Sequence, residues 1–339
     1  MDSSKINDGY RSAFLSVLLQ IGVMFGVSII ISTIIGAYAT AVSGAVDPVQ
    51  LSDRITSVTN EYVMVINAIT YLLADSIPVL VFMKVSKNKG KIRNWFGKSK
   101  MSAGLVSLLC FTTIAIAFLD SIIITIYNSI FGSSGVTEQI GVSLTTDNTA
   151  VFVISILYIC VVGPFLEELL FRGFILHETA CVSPVFGIVI SATLFGLFHM
   201  NFEQAINGAI LGILFGYIAL KANSIVPTVI LHIFNNTFSC VLTIVSEKYG
   251  LSDTANNVLT VAVLIFGIIG FVILIAKKGK LRRNEDMIDS DIFVTDETLD
   301  EIKSKENKNN LTTGIVFKRA YFYVTYIILI AICILIQFQ

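Results

Sequence analysis

Little in this chain carries charge. Asp, Glu, Lys and Arg make up 14% of its 339 residues, whereas 55% are hydrophobic and the mean hydropathy is +0.81. A soluble domain cannot bury that much apolar surface, so the composition points to a polytopic membrane protein. Histidine is scarcer still: His177, His199 and His232 are the only three. The five cysteines, Cys110, Cys160, Cys181, Cys240 and Cys333, lie in or beside apolar runs without paired spacing. That argues against a disulfide framework and against a thiolate metal site. No H-E-x-x-H signature is present, so a zinc site here is of nonstandard kind. There is no soluble catalytic domain, and no repeat at fixed period or matched pair of Gly/Pro-broken helices, which counts against a transporter. The formal net charge of −1 decides nothing, because the charges are so unevenly placed.

What the chain does have is apolar runs of about 20 residues, the length that spans hydrocarbon. They fall at roughly 13–41, 62–83, 102–131, 150–171, 184–200, 205–221, 225–245, 254–276 and 321–338. The expected fold class is therefore an all-α polytopic membrane protein of about nine transmembrane helices, four of them forming a catalytic core. Residues 1–149 hold helices 1–3, 150–245 the core helices 4–7, 246–276 helix 8, 277–320 a charged cytoplasmic loop, and 321–339 helix 9. The first run is long and lacks a small-residue cleavage site, so it reads as a retained helix and not a signal peptide.

Positive charge sets the expected orientation. The segment Lys84–Lys100 and the segment 277–319 are rich in Lys and Arg, and Lys5, Arg11, Arg172 and Lys221 fall on the same side of a nine-helix zigzag. Of the 23 basic residues only Arg54 and Lys248 fall on the other. The N-terminus is thus expected in the cytoplasm of a cell membrane, and the C-terminus outside. The 277–319 loop begins with "KKGKLRRN" and then turns acidic, as expected of a solvated loop whose basic end meets anionic lipid. Abundant Ile, Asn and Lys point to an AT-rich bacterial genome.

Ionisable groups inside a membrane are costly and usually functional, so the helices must carry any chemistry. Asp75, Asp120, Asn67 and Asn128 stand alone and read as helix–helix hydrogen-bonders, with substrate contact or an ion pair as the alternative. Three other sites place strong groups on one helix face. In "VVGPFLEELLFRGF", Glu168 and Arg172 are four apart and can pair, leaving Glu167, rotated by about 100°, as a base. In "TLFGLFHM", His199 follows Phe195 by four. In "VILHIFNNTF", His232 and Asn236 share a face, with Asn235 the competing partner.

Depth brings the three together. Glu167 and His199 are equidistant from the turn at Ser183-Pro184, and His232 lies close to its own turn at Asn223–Pro227. All three converge if the first hairpin protrudes by about 12–14 Å, at 1.5 Å per residue. His177, on the tip of that hairpin, is expected to be a solvated bystander. A carboxylate, two histidines and an amide support two hydrolytic chemistries. Glu167 and His199 can polarise a water while His232 and Asn236 stabilise the oxyanion; or Glu167, His199 and His232 can bind a zinc ion that activates the water.

"EELLFRG", "FGLFH" and "HIFNN", in this order and spacing, resemble the three signature motifs of the CAAX prenyl protease type II and bacteriocin-processing (CPBP, or Abi) family of intramembrane glutamic endopeptidases. The resemblance covers roughly residues 150–245. It implies Glu167 and His199 as the water-activating pair, His232 and Asn236 as oxyanion stabilisers, and Glu168 and Arg172 as supporting residues, without a cofactor. It also implies a peptide or membrane-associated protein as substrate and no nucleic-acid partner. Eukaryotic members trim three residues from prenylated C-termini; bacterial members are linked to peptide processing, bacteriocin immunity and surface-sensor regulation. The alternative is a non-catalytic membrane scaffold, a partner of a sensor kinase or bacteriocin receptor, that keeps the motif fold.

Overall fold

The computed structural model describes residues 3–43, 47–85, 92–132, 144, 146–180, 183–248, 252–276 and 316–337. Most of the 277–319 loop, and Cys181, lie outside the described residues. The described residues are helical throughout the apolar runs and contain no strand. In chain order the helices are α1 (Ser3–Ser43), α2 (Pro48–Val85), the short α3 (Ile92–Trp95), α4 (Ala103–Phe131), α5 (Thr149–Thr179), α6 (Pro184–Leu197), α7 (Phe202–Ala222), α8 (Val226–Thr243), α9 (Asp253–Ala276) and α10 (Ala320–Gln337).

Among the described residues, seven helices are long and apolar enough to cross a membrane. One of the nine expected spans is short: the 14 residues of α6 rise about 21 Å, less than the roughly 30 Å of hydrocarbon. α9 runs for 24 residues.

Polar side chains mark the helix ends. Ser102 accepts the Leu105 N–H at the start of α4, and Ser183 accepts that of Phe186 at the start of α6, where Pro184 occupies the first turn without wasting a donor. Asn201 caps α7, which ends on Asn223 in the left-handed conformation (φ 52°). Inside α5 the chain widens twice into π-helical turns, at Tyr158–Val162 and Leu169–Ile175, on either side of Gly163–Glu168. Such turns insert a residue and recur at functional positions.

Contacts at the helix ends sort the bundle into two ends. At one, Tyr321 donates to Asn7, the Tyr10 hydroxyl to the Thr179 carbonyl, the Lys100 N–H to the Ala222 carbonyl and the Ile225 N–H to the Trp95 carbonyl. At the other, Gln337 donates to the Gly132 carbonyl. The starts of α1, α4, α6, α8 and α10 therefore share an end with the finishes of α5 and α7.

One expectation about the first end changes. The tip of the α5–α6 hairpin is not solvated: Glu178 and Thr179 are buried and His177 is half-buried, because α1 packs over them. The basic segment Lys84–Lys100 also contributes to the packing there. Its Trp95 is 1% exposed and lies against Gly173, where an added Cβ would come within 2.5 Å of the indole. The largest core cluster runs from Tyr10, Phe14 and Trp95 to Phe171, Phe174, Phe195 and Phe198. The four described cysteines are buried.

Candidate active site

The site begins with one buried ion pair. Glu168 and Arg172 are both 0% exposed, four residues apart on α5, with Arg172 Nη1 2.9 Å from Glu168 Oε1. The guanidinium lies over the Phe195 ring at 4.1 Å and near that of Phe215 at 5.3 Å. Two aromatic faces thus replace water around a cation that lipid could not solvate.

The same Oε1 takes a second partner. His232 Nδ1 donates to it at 3.0 Å, and the His232 ring packs on Phe195 and Phe215, the same two rings that hold Arg172. A carboxylate oxygen facing Nδ1 fixes the proton there, which turns Nε2 toward the other acid. Glu167 Oε2 lies 3.6 Å from Nε2, beyond a direct hydrogen bond, and is buried without a hydrogen-bond partner. Arg172, Glu168, His232 and Glu167 form a linked series in which one acid is neutralised and the other is not. The pairing of Glu168 with Arg172 accords with the four-residue spacing; the bond from His232 to Glu168 was not expected.

The register that allows this contact is set by Trp95. Its carbonyl holds Ile225 at the start of α8, and its ring lies on Gly173 of α5. That sets Gly173 of α5 level with Ile225 of α8; Glu167 lies six residues before the one and His232 seven after the other.

His199 sits in the turn between α6 and α7, where Met200 adopts a positive φ of 60°. Its Nδ1 bonds the Phe195 carbonyl at 3.0 Å. A carbonyl can only accept, so Nδ1 carries the proton and Nε2 is left with a lone pair for a donor such as water. The ring stacks beside Phe198 and touches Phe195, which also touches His232. Phe195 therefore joins the two imidazoles, although His199 makes no direct hydrogen bond or ion pair with Glu167.

Asn236 reaches the site from α8. Its Nδ2 donates to the Ile159 carbonyl at 3.0 Å. That carbonyl is open for a local reason: Gly163 bonds back five residues to Tyr158, and Pro164, next in line, has no N–H to give Ile159. One amide hydrogen of Asn236 is thus used, and the second remains. Asn235 is more deeply buried and contacts Asn236 at 3.5 Å.

No group of three or more His, Cys, Asp or Glu among the described residues comes together so as to hold a metal ion. Glu167, His199 and His232 do not form such a group.

Sequence reasoning missed the pieces that hold α6 against α7. Ala192 and Gly196 on α6 meet Ala205, Gly208 and Gly212 on α7 so closely that a Cβ at Gly212 would lie 2.8 Å from the Ala192 backbone. The signal was present as Gly208-x-x-x-Gly212, a small-residue spacing for close helix contact. Phe195 and Phe215 carried no signal beyond being apolar.

Residues 149–238, from the start of α5 into α8, match the family model described as Type II CAAX prenyl endopeptidase Rce1-like. The matched segment contains Glu167, Glu168, Arg172, His199, His232 and Asn236. No curated protein and no solved structure matches the chain. Over residues 149–238, the multi-helix membrane chain matches the CAAX-protease family that its three motifs resemble.

Proposed function

We propose that the protein is an intramembrane endopeptidase of the CAAX type, acting on a peptide or on the end of a membrane-associated protein. The observation that carries the reading is the asymmetry of the two adjacent acids within the matched segment. Glu168 is held through Oε1 by Arg172 at 2.9 Å and by His232 at 3.0 Å, whereas Glu167 has only His232 Nε2 nearby, at 3.6 Å. A buried pair is stable against proton uptake by its partner; the neighbouring acid is the one able to move a proton.

In the reaction, a water held by Glu167 and the Nε2 of His199 attacks the scissile carbonyl carbon. Its proton passes to Glu167, and the carbonyl oxygen becomes an oxyanion. Asn236, through its second amide hydrogen, and His232, through a ring N–H, donate to that oxyanion. Collapse of the intermediate breaks the C–N bond, and Glu167 returns the proton to the leaving amine. No metal takes part. The site faces the cytoplasm of a cell membrane, with the N-terminus on that side, as the basic segments require.

Peptide cleavage by detergent-purified protein, followed by mass spectrometry on a peptide library that includes prenylated CAAX-type peptides, tests this. Glu167→Gln lowers the rate by about 10²–10⁴-fold, and a chelator changes nothing. Loss of activity with chelator overturns the metal-independent mechanism. Absence of cleavage, together with a cellular role that survives Glu167→Gln, assigns the chain to the non-catalytic scaffold instead.

A further inference from the structure

Asp75 and Tyr71 lie one turn apart on α2, outside the family match, and the reaction above uses neither. Asp75 is 1% exposed. Its Oδ1 accepts a hydrogen bond from Gln20 of α1 at 2.5 Å, while Oδ2 is buried with no partner. An acid that served only to join α1 to α2 has no use for an orphaned second oxygen, which is costly away from water.

The packing of this part of α2 points to the active site. Tyr71 stacks on Tyr158, with ring centroids 6.4 Å apart and planes 24° from parallel. Tyr158 opens the π turn that leads into Gly163–Glu168. Gly163 makes room for it: a Cβ there would stand 3.1 Å from the Tyr158 carbonyl oxygen and 3.5 Å from its ring. α2 packs on the part of α5 that carries Glu167.

A peptide cut inside a membrane must unwind around its scissile bond. The N–H groups so released need acceptors, since neither lipid nor a dry cavity supplies them. His232 and Asn236 are donors in the reaction, and Glu167 is engaged with the water. The acceptor must come from elsewhere. We propose that Asp75, flanked by Tyr71 and Tyr158, is a substrate-backbone subsite beside Glu167 that accepts hydrogen bonds from N–H groups of an extended peptide. The subsite rests on the endopeptidase reading.

Binding tests it separately from cleavage. The full-length Glu167→Gln protein, with and without Asp75→Asn, is titrated in detergent with a fluorescent prenylated CAAX-type peptide. In parallel, the amides next to the scissile bond are replaced one at a time by esters, which removes a single N–H. Asp75→Asn is expected to weaken binding by about 10–100-fold, and one ester to weaken it similarly. In the Asp75→Asn background that ester has no further effect. Tyr71→Phe, which keeps the ring stack, gives a smaller loss of the same sign. If Asp75→Asn binds within about twofold of its parent, or if its loss and every ester's loss multiply, Asp75 is helix glue and the subsite is overturned. Gln20→Ala guards against misfolding: a purely structural pair loses thermal stability in both variants with affinity unchanged. Absence of binding by the parent, with no cleavage by the wild type, removes the endopeptidase reading and the subsite with it.

Discussion

Arg172 is the residue on which the site's burial depends. With both partners of the Glu168 pair 0% exposed, removing one leaves an uncompensated charge in a medium that cannot solvate it. Arg172→Met is therefore expected to cost about 3–5 kcal/mol, read as thermal unfolding in detergent. The double variant Glu168→Gln/Arg172→Met recovers part of that loss, because it removes the stranded acid as well. Asn236 poses a different case, since one amide hydrogen caps the Ile159 carbonyl left open by Pro164. Asn236→Ala should cost about 1–3 kcal/mol of stability for the stranded carbonyl and lower kcat by about 10²–10³-fold. Stopped kinetics with unchanged folding would separate the second effect from the first. The acids, the arginine and the imidazoles were legible residue by residue, because a four-residue step encodes a shared face. That His232 would bond Glu168 was not, since nothing local to either segment states the rotation of one helix against another.

At the scale of elements, the contact between α6 and α7 places His199. Gly196 faces the Ala205 carbonyl, and a Cβ added at Gly208 would lie 3.0 Å from the Gly196 Cα. Gly196→Ala drives the two helices apart and is expected to destabilise by about 1–3 kcal/mol. His199 lies only three residues on, so cleavage should fall by more than stability alone explains. Gly104 is the control: a Cβ there meets nothing within 4 Å, and Gly104→Ala in a helix should be neutral or stabilising by up to about 1 kcal/mol. Parallel thermal melts and cleavage rates of the two variants check both statements. The helices were legible from their apolar length, whereas the π turns in α5 were not. A wide turn depends on what packs beside it, and Pro164 was its one local sign.

For the whole molecule, the basic segments and the end-to-end contacts give the same alternation of helices. Trp95, Ala222, Ile225 and Thr179 belong to one end; Gly132 and Gln337 belong to the other. In a cysteine-free background, Ser102→Cys should react with an impermeant maleimide only in inverted vesicles, and Asp47→Cys and Ser252→Cys only in intact cells. The opposite labelling pattern would invert the orientation and put the site's near end outside. α10 has a structural place in this arrangement. Its Tyr326 shares a hydrogen bond with Thr193 of α6, and Phe14 of α1 packs among Tyr321, Phe322 and Tyr326. Deleting residues 316–339 should lower thermal stability by uncovering those rings, while leaving every motif residue in the chain.

The sequence by itself determined that this is a membrane protein of long helices, that three short motifs resemble one family, and which acid pairs with Arg172. Those features follow from composition and from spacing along a single helix. Only the tertiary structure decided that His232 bonds Glu168 and faces Glu167, that Asn236 caps Ile159, that Trp95 sets the level of α8 against α5, and that Asp75 pairs with Gln20 of α1. Each of these depends on the register and rotation between helices, which are fixed by glycine contacts, wide turns and aromatic packing far apart in the chain.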